Sequence, residues 1–243
     1  MPPPPAKPTL ARSIAAALLL GLQLIVSLLL SVAFAQRLFL FARIRGGVPV
    51  SAKAFQAGDF VIVAGSRLLL PLLVASAIAF LLWLYRVCEN LRAYRTRAFE
   101  FTPGEAVGSF FIPFLNLYRP YEAVREAWLA SDPAEPPLSP TDDARVLADR
   151  APLVVLWWMF FVLRGLPALC TAFTPGTAAS PQMERMTVSG YGMLLSHLMA
   201  IPAAALAMVL VYSLDRRQDA LGDALERHKR RAGDAVRGDV AVP

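Results

Sequence analysis

The chain has 243 residues, of which 56% are hydrophobic and 17% are charged, and its formal net charge is +6 at pH 7. Soluble domains usually contain about 25% charged residues. The low charge content and the mean hydropathy of +0.50 exclude an ordinary soluble domain. Charged residues are nearly absent from four apolar windows and concentrated between them, which indicates an all-α, polytopic membrane protein.

The residues that usually hold metals or form disulfides are few. Cys88 and Cys170 fall near opposite faces of the predicted membrane domain, so we expect no disulfide between them. The two histidines, His197 and His228, do not combine with them in any zinc-like spacing. We therefore predict no metal site and no cofactor.

The N-terminal part begins with a proline-rich tail. Residues 1–12 include the run Pro2–Pro5 and are predicted to be disordered, whereas 13–35 contain no charged residue and are long enough to span a bilayer. Signal-peptidase cleavage after Ala35 is the alternative interpretation. The uncleaved helix is preferred because the apolar stretch exceeds the roughly 7 to 15 residues of a signal-peptide core.

Three further windows are apolar enough to span. They cover residues 68–85, 151–173 and 191–214. The remainder after them, 215–243, is predicted to be a charged C-terminal tail that ends without regular structure.

The stretch 101–121, FTPGEAVGSFFIPFLNLYRPY, is unusual among the connections. Its apolar run is ten residues, about half of what a spanning helix needs, yet it is too apolar for an ordinary loop. Pro113 prevents one regular helix, and Gly108 lies near the start of the run. We predict a re-entrant or interfacial element broken at Pro113, followed by an amphipathic helix over 120–130 with Pro120 in its first turn.

Basic residues predict the orientation. With both termini inside, 17 of the 24 Lys and Arg lie on the inner side, 6 lie on the outer side and Arg164 lies within the membrane. This bias favours four spans with cytoplasmic termini in the cell membrane, and it places 101–121 on the cytoplasmic side. Basic residues at the inner surface are expected to contact anionic lipid headgroups rather than nucleic acid.

Four polar residues are candidates for a site. Asn116 and Arg119 could bind an anion or a lipid headgroup, or else Asn116 caps the next helix and Arg119 reaches lipid phosphate. Arg164 is a cation inside a spanning window and is a functional candidate by default. The alternative is that Gly165 and Pro167 break the helix there, which would let Arg164 reach lipid headgroups or the carbonyls freed by the break. His197 is a possible proton site or a packing residue.

A family resemblance centres on the same stretch. The sequence WLYRVCENLRAY at 83–94, followed by VGSFFIPFLNLYRPY at 107–121, resembles bacterial membrane proteins that contain domain of unknown function 4328. Gly108, Pro113, Asn116, Arg119 and Tyr121 match its core pattern, whereas Ser109 and Phe110 stand where that pattern has tryptophans. The resemblance implies a membrane protein and no particular activity.

The sequence contains no phosphate-binding glycine loop, zinc-protease motif or nucleophile elbow. We therefore predict a non-enzymatic interaction or regulatory component with a possible protein partner on the cytoplasmic side. The alternative is a small transporter or channel subunit for an anionic solute, in which the broken segment and Arg164 would form the path.

Overall fold

A computed structural model of the chain describes residues 8–94, 99–133, 151–167 and 182–240, and all regular structure in these ranges is helical. The all-α prediction is therefore confirmed for this part of the chain. The helices are α1 (Leu10–Arg45), α2 (Lys53–Tyr94), α3 (Pro103–Gly108), α4 (Arg119–Ala130), α5 (Pro152–Leu163) and α6 (Gln182–Val240), with a 3-10 turn at Leu115–Leu117. Three of them, α1, α2 and α6, are long and apolar enough to cross a membrane.

The first long helix extends well beyond the predicted span of 13–35. Helix α1 continues through Ala35 to Arg45, because no helix-breaking residue occurs before the Gly46-Gly47 pair. Gly47 has a φ of 78°, and the amides of Gly46 and Gly47 bond to the carbonyls of Ala42 and Ile44. A left-handed glycine that closes the last helical carbonyls is the usual way a helix ends.

The last helix corrects the prediction for the C-terminus. Residues 215–243 were expected to form a tail without regular structure at its end, but α6 continues without interruption to Val240. Its polar part keeps a buried face, since Leu214, Gln218 and Leu221 recur at helical spacing and are almost fully buried. Packing of that face stabilises the helix beyond the point where helix propensity and charge would place its end.

Helix α5 covers only the first half of the predicted 151–173 span. It ends at Leu163, and a turn follows at Arg164 and Gly165, where the amides bond back to the carbonyls of Phe160 and Val162. Residues 168–173 of the predicted span lie outside the described residues. The break predicted from the Gly165 signal is observed at that position.

The chain forms two compact units. The span unit contains Ala15–Ala79 and Val155–Val209; the stalk unit contains Met1–Ile14, Phe80–Val154 and Leu210–Pro243. The core of the span unit joins Val26, Leu30, Ala33 and Phe34 of α1 to Ile62 and Leu72 of α2. The two helices approach closely at Gly65, where an added Cβ would lie 2.8 Å from Leu30 Cδ2.

The stalk unit has a separate core. It is formed by one face of the end of α2, by the small residues of α4 and by the last apolar turns of α6. Its fully buried side chains include Trp83, Leu84, Val87, Leu91, Ala123, Val124, Ala127, Leu210 and Leu214. The end of α2 is thus a packed element rather than an isolated extension.

Candidate functional site

The predicted broken element begins with a capped turn of helix. Thr102 Oγ1 accepts a hydrogen bond from the Glu105 amide at 3.1 Å, and the Glu105 carboxylate accepts one from the Thr102 amide at 2.8 Å. This reciprocal arrangement is a capping box. The bonds to Thr102 also lower the pKa of the Glu105 carboxyl from its ordinary value.

Helix α3 ends at Gly108, and the chain then packs onto α2. Ser109 is buried, and its hydroxyl donates to the Ala106 carbonyl at 2.8 Å. The Phe110 ring lies edge-on to Phe80, with the ring centroids 6.3 Å apart. Phe80 precedes Arg86, the first charged residue after the apolar part of α2, by six helical positions, which is about 9 Å along the axis.

The following residues, 111–118, form a turn that we call the apolar tip. The Leu115 amide donates to the Pro113 carbonyl at 2.8 Å, around a Phe114 with φ 66° and ψ −43°. This is the γ-turn with positive φ, which is rare and strained for a residue that carries a side chain. Pro113 therefore breaks the run, and the break is a tight reversal rather than a kink.

The apolar tip is exposed along its whole length. Phe111 is 70% exposed and Phe114 is 87% exposed, and Ile112, Leu115, Leu117 and Tyr118 are also exposed. A soluble surface rarely presents so many large apolar side chains in succession. The sequence predicted an unusual segment here, but not that its side chains point away from the rest of the stalk unit.

The structure separates Asn116 and Arg119 by role. The N-cap of α4 is Tyr118, which makes no side-chain capping bond, so the interpretation of Asn116 as the cap is wrong. Asn116 instead lies in the 3-10 turn, where its backbone N–H donates to the Ile112 carbonyl at 2.9 Å. Arg119 lies over the Phe101 ring at 5.3 Å from its centroid and 3.8 Å from the Glu122 carboxylate.

Helix α4 has one buried face and one partly exposed face. Pro120 is fully buried in the first turn, and Trp128 is buried near the end. The opposite face, which we call the outer face of α4, is formed by Tyr121, Glu122, Arg125, Glu126 and Leu129, all partly exposed. Burial raises the pKa of the Glu126 carboxyl, even though it accepts a hydrogen bond from the Glu100 amide at 3.4 Å.

Arg217 fastens the end of α4 to α6. Its guanidinium lies 4.2 Å from the Trp128 ring centroid and donates to the Trp128 carbonyl at 3.1 Å. It is also 3.9 Å from the Asp132 carboxylate. Sequence reasoning missed this residue, because an arginine in a charged stretch gives no sign of which ring or carbonyl it will contact.

A set of polar contacts joins α2 to α6 next to this arginine. Trp83 Nε1 donates to Asp215 Oδ1 at 2.9 Å, and Gln218 Nε2 donates to the Val87 carbonyl at 3.0 Å. Asn90 Nδ2 lies 3.5 Å from Gln218 Oε1. Buried polar groups need such partners, so these contacts fix the register between the two helices.

The other two predicted site residues belong to the span unit. The Ser196 hydroxyl donates to the Arg164 carbonyl at 2.6 Å, so a side chain of α6 satisfies the carbonyl freed by the break after α5. The Arg164 guanidinium lies over Phe161, 4.6 Å from the ring centroid. No carboxylate lies within ion-pair distance of Arg164 in the described ranges.

His197 is buried in the span unit and stacks on Phe34, with the centroids 5.8 Å apart. The polar residues Gln23, Ser27 and Ser31 of α1 are buried as well, and the Ser31 hydroxyl donates to the Ser27 carbonyl at 2.8 Å.

Arg164 and Arg119 belong to different units. Among the described residues, no group of three His, Cys, Asp or Glu side chains could hold a metal ion.

The family comparison covers most of this architecture. The sequence model of the family described as Domain of unknown function (DUF4328) matches residues 47–216. The chain belongs to the DUF4328 family. The DUF4328 match contains α2, the apolar tip, α4, α5 and the apolar part of α6, and it includes Asn116, Arg119, Arg164 and His197.

The resemblance inferred from the core pattern is thereby confirmed. Arg217 and Gln218 follow directly after the DUF4328 match, and most of α1 precedes it. Comparison with curated proteins and with solved structures gave no match.

Proposed function

We propose that this DUF4328 protein is a four-span protein of the cell membrane, with both termini in the cytoplasm, and that it acts as a non-enzymatic interaction or regulatory component. The observation that carries this proposal is the stalk unit. The ends of two long apolar helices, α2 and α6, continue as polar helix and are joined there by specific polar contacts rather than by apolar packing alone.

The fourth span is supported by α5, an apolar helix of 12 residues, and by the apolar sequence that continues to residue 173. The cytoplasmic orientation is supported by the surplus of Lys and Arg around the stalk unit. The element 101–121 is then the cytoplasmic-side interfacial segment, and the helix after it is amphipathic, with its charged residues on the outer face of α4.

The outer face of α4 is the proposed docking surface for a cytoplasmic protein. Glu122 and Arg125 are its central charged residues and both are partly exposed. Complementary charges on a partner would select it by steering and by excluding like-charged surfaces. Arg217 holds the far end of α4 on α6, so the face is presented on a fixed helix.

Site-specific photocrosslinking in living cells tests this proposal. A photoreactive residue at Glu122 is expected to give one reproducible adduct, and the change Arg125→Glu should remove it. The matched control is the same probe at Phe60, which is exposed on α2 in the span unit and should not give that adduct. Identical adducts at both positions, or none at Glu122, would contradict the proposal.

The transporter alternative predicts a different result. An anion path would make purified protein in liposomes conduct anions above the level of empty liposomes, and Arg164→Ala would abolish that flux. No described contact favours this path, since Arg164 lies against its own neighbour Phe161. Flux equal to that of empty liposomes is the outcome expected here.

A further inference from the structure

The apolar tip is costly in two independent ways for a segment surrounded by water. Phe114 occupies the strained γ-turn conformation with positive φ, which is unfavourable for a residue that carries a side chain. The same side chain is 87% exposed. Strained conformations persist where surrounding contacts or a function hold them in place. We therefore expect a binding partner or a solvent other than water to cover the apolar tip.

The contacts of the stalk unit indicate which surroundings the tip meets. Phe110 packs on Phe80, inside the apolar part of α2, and the side chains of Leu82 and Tyr85 on the same helix are exposed. The Arg12 guanidinium of α1 donates to the Leu82 carbonyl, and Trp83 donates to Asp215, which is the first charged residue after the apolar part of α6. Charged groups at the ends of two apolar stretches therefore lie at this level of α2. This level is a polar-to-apolar boundary of the helices.

The backbone of the tip is suited to such a boundary. The amides of Ser109, Phe110, Phe111, Leu115, Asn116, Leu117 and Tyr118 all donate to carbonyls within residues 105–115. Backbone groups must be satisfied internally before a segment can enter hydrocarbon. Two exceptions, Ile112 and Phe114, have amides without such a bond in the described part of the chain, which favours shallow insertion over a deep re-entrant path.

The residues after the tip are suited to the headgroup layer. Tyr118 is exposed, and the Arg119 side chain is 52% exposed while it lies over Phe101. Aromatic and basic residues next to an apolar segment are the usual anchors at a membrane surface. Arg119 is the cation placed to contact a lipid phosphate.

We infer that the apolar tip inserts into the cytoplasmic leaflet of the bilayer, with Phe111 and Phe114 at the boundary between headgroups and acyl chains and Arg119 at the phosphates. This inference rests on the proposed function for the leaflet and the orientation, and it requires no protein partner. The occupant is lipid rather than protein, because the tip adjoins helix surface that is itself apolar and exposed.

Fluorescence in nanodiscs of phosphatidylcholine and phosphatidylglycerol tests the inference without any partner. The full chain with Cys88→Ala and Cys170→Ala carries Phe114→Cys, labelled with an environment-sensitive dye. Its emission is expected to shift to shorter wavelength, to be quenched by nitroxide-labelled lipid and to resist aqueous iodide. The matched control, Asp223→Cys on the exposed face of α6, should show the reverse pattern.

Phe111→Cys provides a second labelled position in case the change at Phe114 alters the strained turn. Quenching by iodide and not by lipid at both tip positions would overturn the inference. Protection that develops only when cytoplasmic protein is added would also overturn it, because the occupant would then be a protein. Loss of the Glu122 adduct in cells with intact lipid quenching would instead contradict only the proposed function.

Discussion

Arg217 contacts Trp128 through a cation–π interaction and through a hydrogen bond that depends on the planar guanidinium. The planar guanidinium lies 4.2 Å from the ring centroid and also donates to the Trp128 carbonyl. Arg217→Ala should therefore lower the free energy of unfolding by about 2 to 4 kcal/mol, the sum expected for a partly buried cation–π contact and a charged hydrogen bond. Thermal unfolding of the purified protein in detergent measures this change.

Two matched variants separate the shape of Arg217 from its charge. Arg217→Lys keeps the charge but not the planar donor geometry, so a loss between those of wild type and Arg217→Ala is expected. The control is Arg216→Ala, because the Arg216 guanidinium donates to the Tyr212 hydroxyl and lies over the Tyr212 ring on its own helix. This change should shift stability by less than about 0.5 kcal/mol. Equal losses for Arg216→Ala and Arg217→Ala would contradict this assignment.

Glu126 and Glu105 should give pH dependences of opposite sign. Burial raises the pKa of Glu126, so the folded state binds its proton more tightly, and that stability is lost as the pH rises through the folded pKa. Glu126→Gln should thus be as stable as wild type or more stable at pH 7, by less than about 1 kcal/mol after solvent screening. A clear loss at pH 7 would contradict the assigned cause.

Glu105 behaves in the reverse way because its pKa is lowered by the bond from the Thr102 amide. Its stabilisation is present above the ordinary carboxyl pKa and is lost as the pH falls through the folded value. Thr102→Ala removes the other half of the capping box and should cost about 1 kcal/mol. Unfolding of Glu105→Gln and Glu126→Gln between pH 4 and pH 8 distinguishes the cap at Glu105 from the burial at Glu126, because each variant removes one of the two titrating carboxyls.

At the scale of elements, the approach of α1 to α2 depends on Gly65. An added Cβ would lie 2.8 Å from Leu30 Cδ2, closer than such atoms pack, so the Leu30 side chain would have to move. Gly65→Ala should lower stability by about 1 kcal/mol and Gly65→Val by up to about 3 kcal/mol, as overpacked cores do. Unfolding in detergent checks this order.

A second substitution tests the cause. Leu30→Ala by itself opens a cavity in the core of the span unit and is destabilising. In combination with Gly65→Val, however, it removes the crowding, so the double variant should lose less than the sum of the two single losses. Additive losses would show that a side chain at position 65 is crowded by a residue other than Leu30.

The helical class and the location of the unusual element could be predicted from hydrophobic periodicity, prolines and composition. The ends of α1 and α6 could not, because polar helix beyond a span is stabilised by tertiary contacts such as those of Gln218. The orientation of the apolar tip could not be predicted from the sequence either. Pro113 predicts a break, but the positive φ of Phe114 depends on how the chain closes onto Pro113 and Ile112.

The candidate residues show the same division. Arg164 is recognisable from the sequence because it is a lone arginine in an apolar window. Its contact with Phe161 and the hydrogen bond from Ser196 to its carbonyl are seen only in the structure. Residues of ordinary type in charged stretches, such as Asp215 and Arg217, give no signal at all. Their partners are more than 80 positions away in the chain.

At the scale of the whole molecule, the distribution of positive charges is the basis of the proposed orientation. Of the 24 Lys and Arg, 17 belong to stretches placed inside by the proposed topology and 6 to stretches placed outside. Moving basic segments across the membrane is disfavoured, so the connection between α1 and α2 is the part that should be translocated. Val48 in that connection and Asp223 on α6 are both exposed, and the proposed topology places them on opposite sides of the membrane.

Cysteine labelling checks this orientation in a chain with Cys88→Ala and Cys170→Ala, expressed in a bacterial host. A membrane-impermeant thiol reagent added to spheroplasts should label Val48→Cys and leave Asp223→Cys unreacted, and inverted vesicles should give the reverse. Because an even number of spans returns the chain to its starting side, Leu10→Cys at the exposed start of α1 should be labelled from the same side as Asp223→Cys. Labelling of Asp223→Cys in intact spheroplasts would require an odd number of spans or an inverted chain, and either would place the apolar tip in the opposite leaflet or leave α5 outside the bilayer.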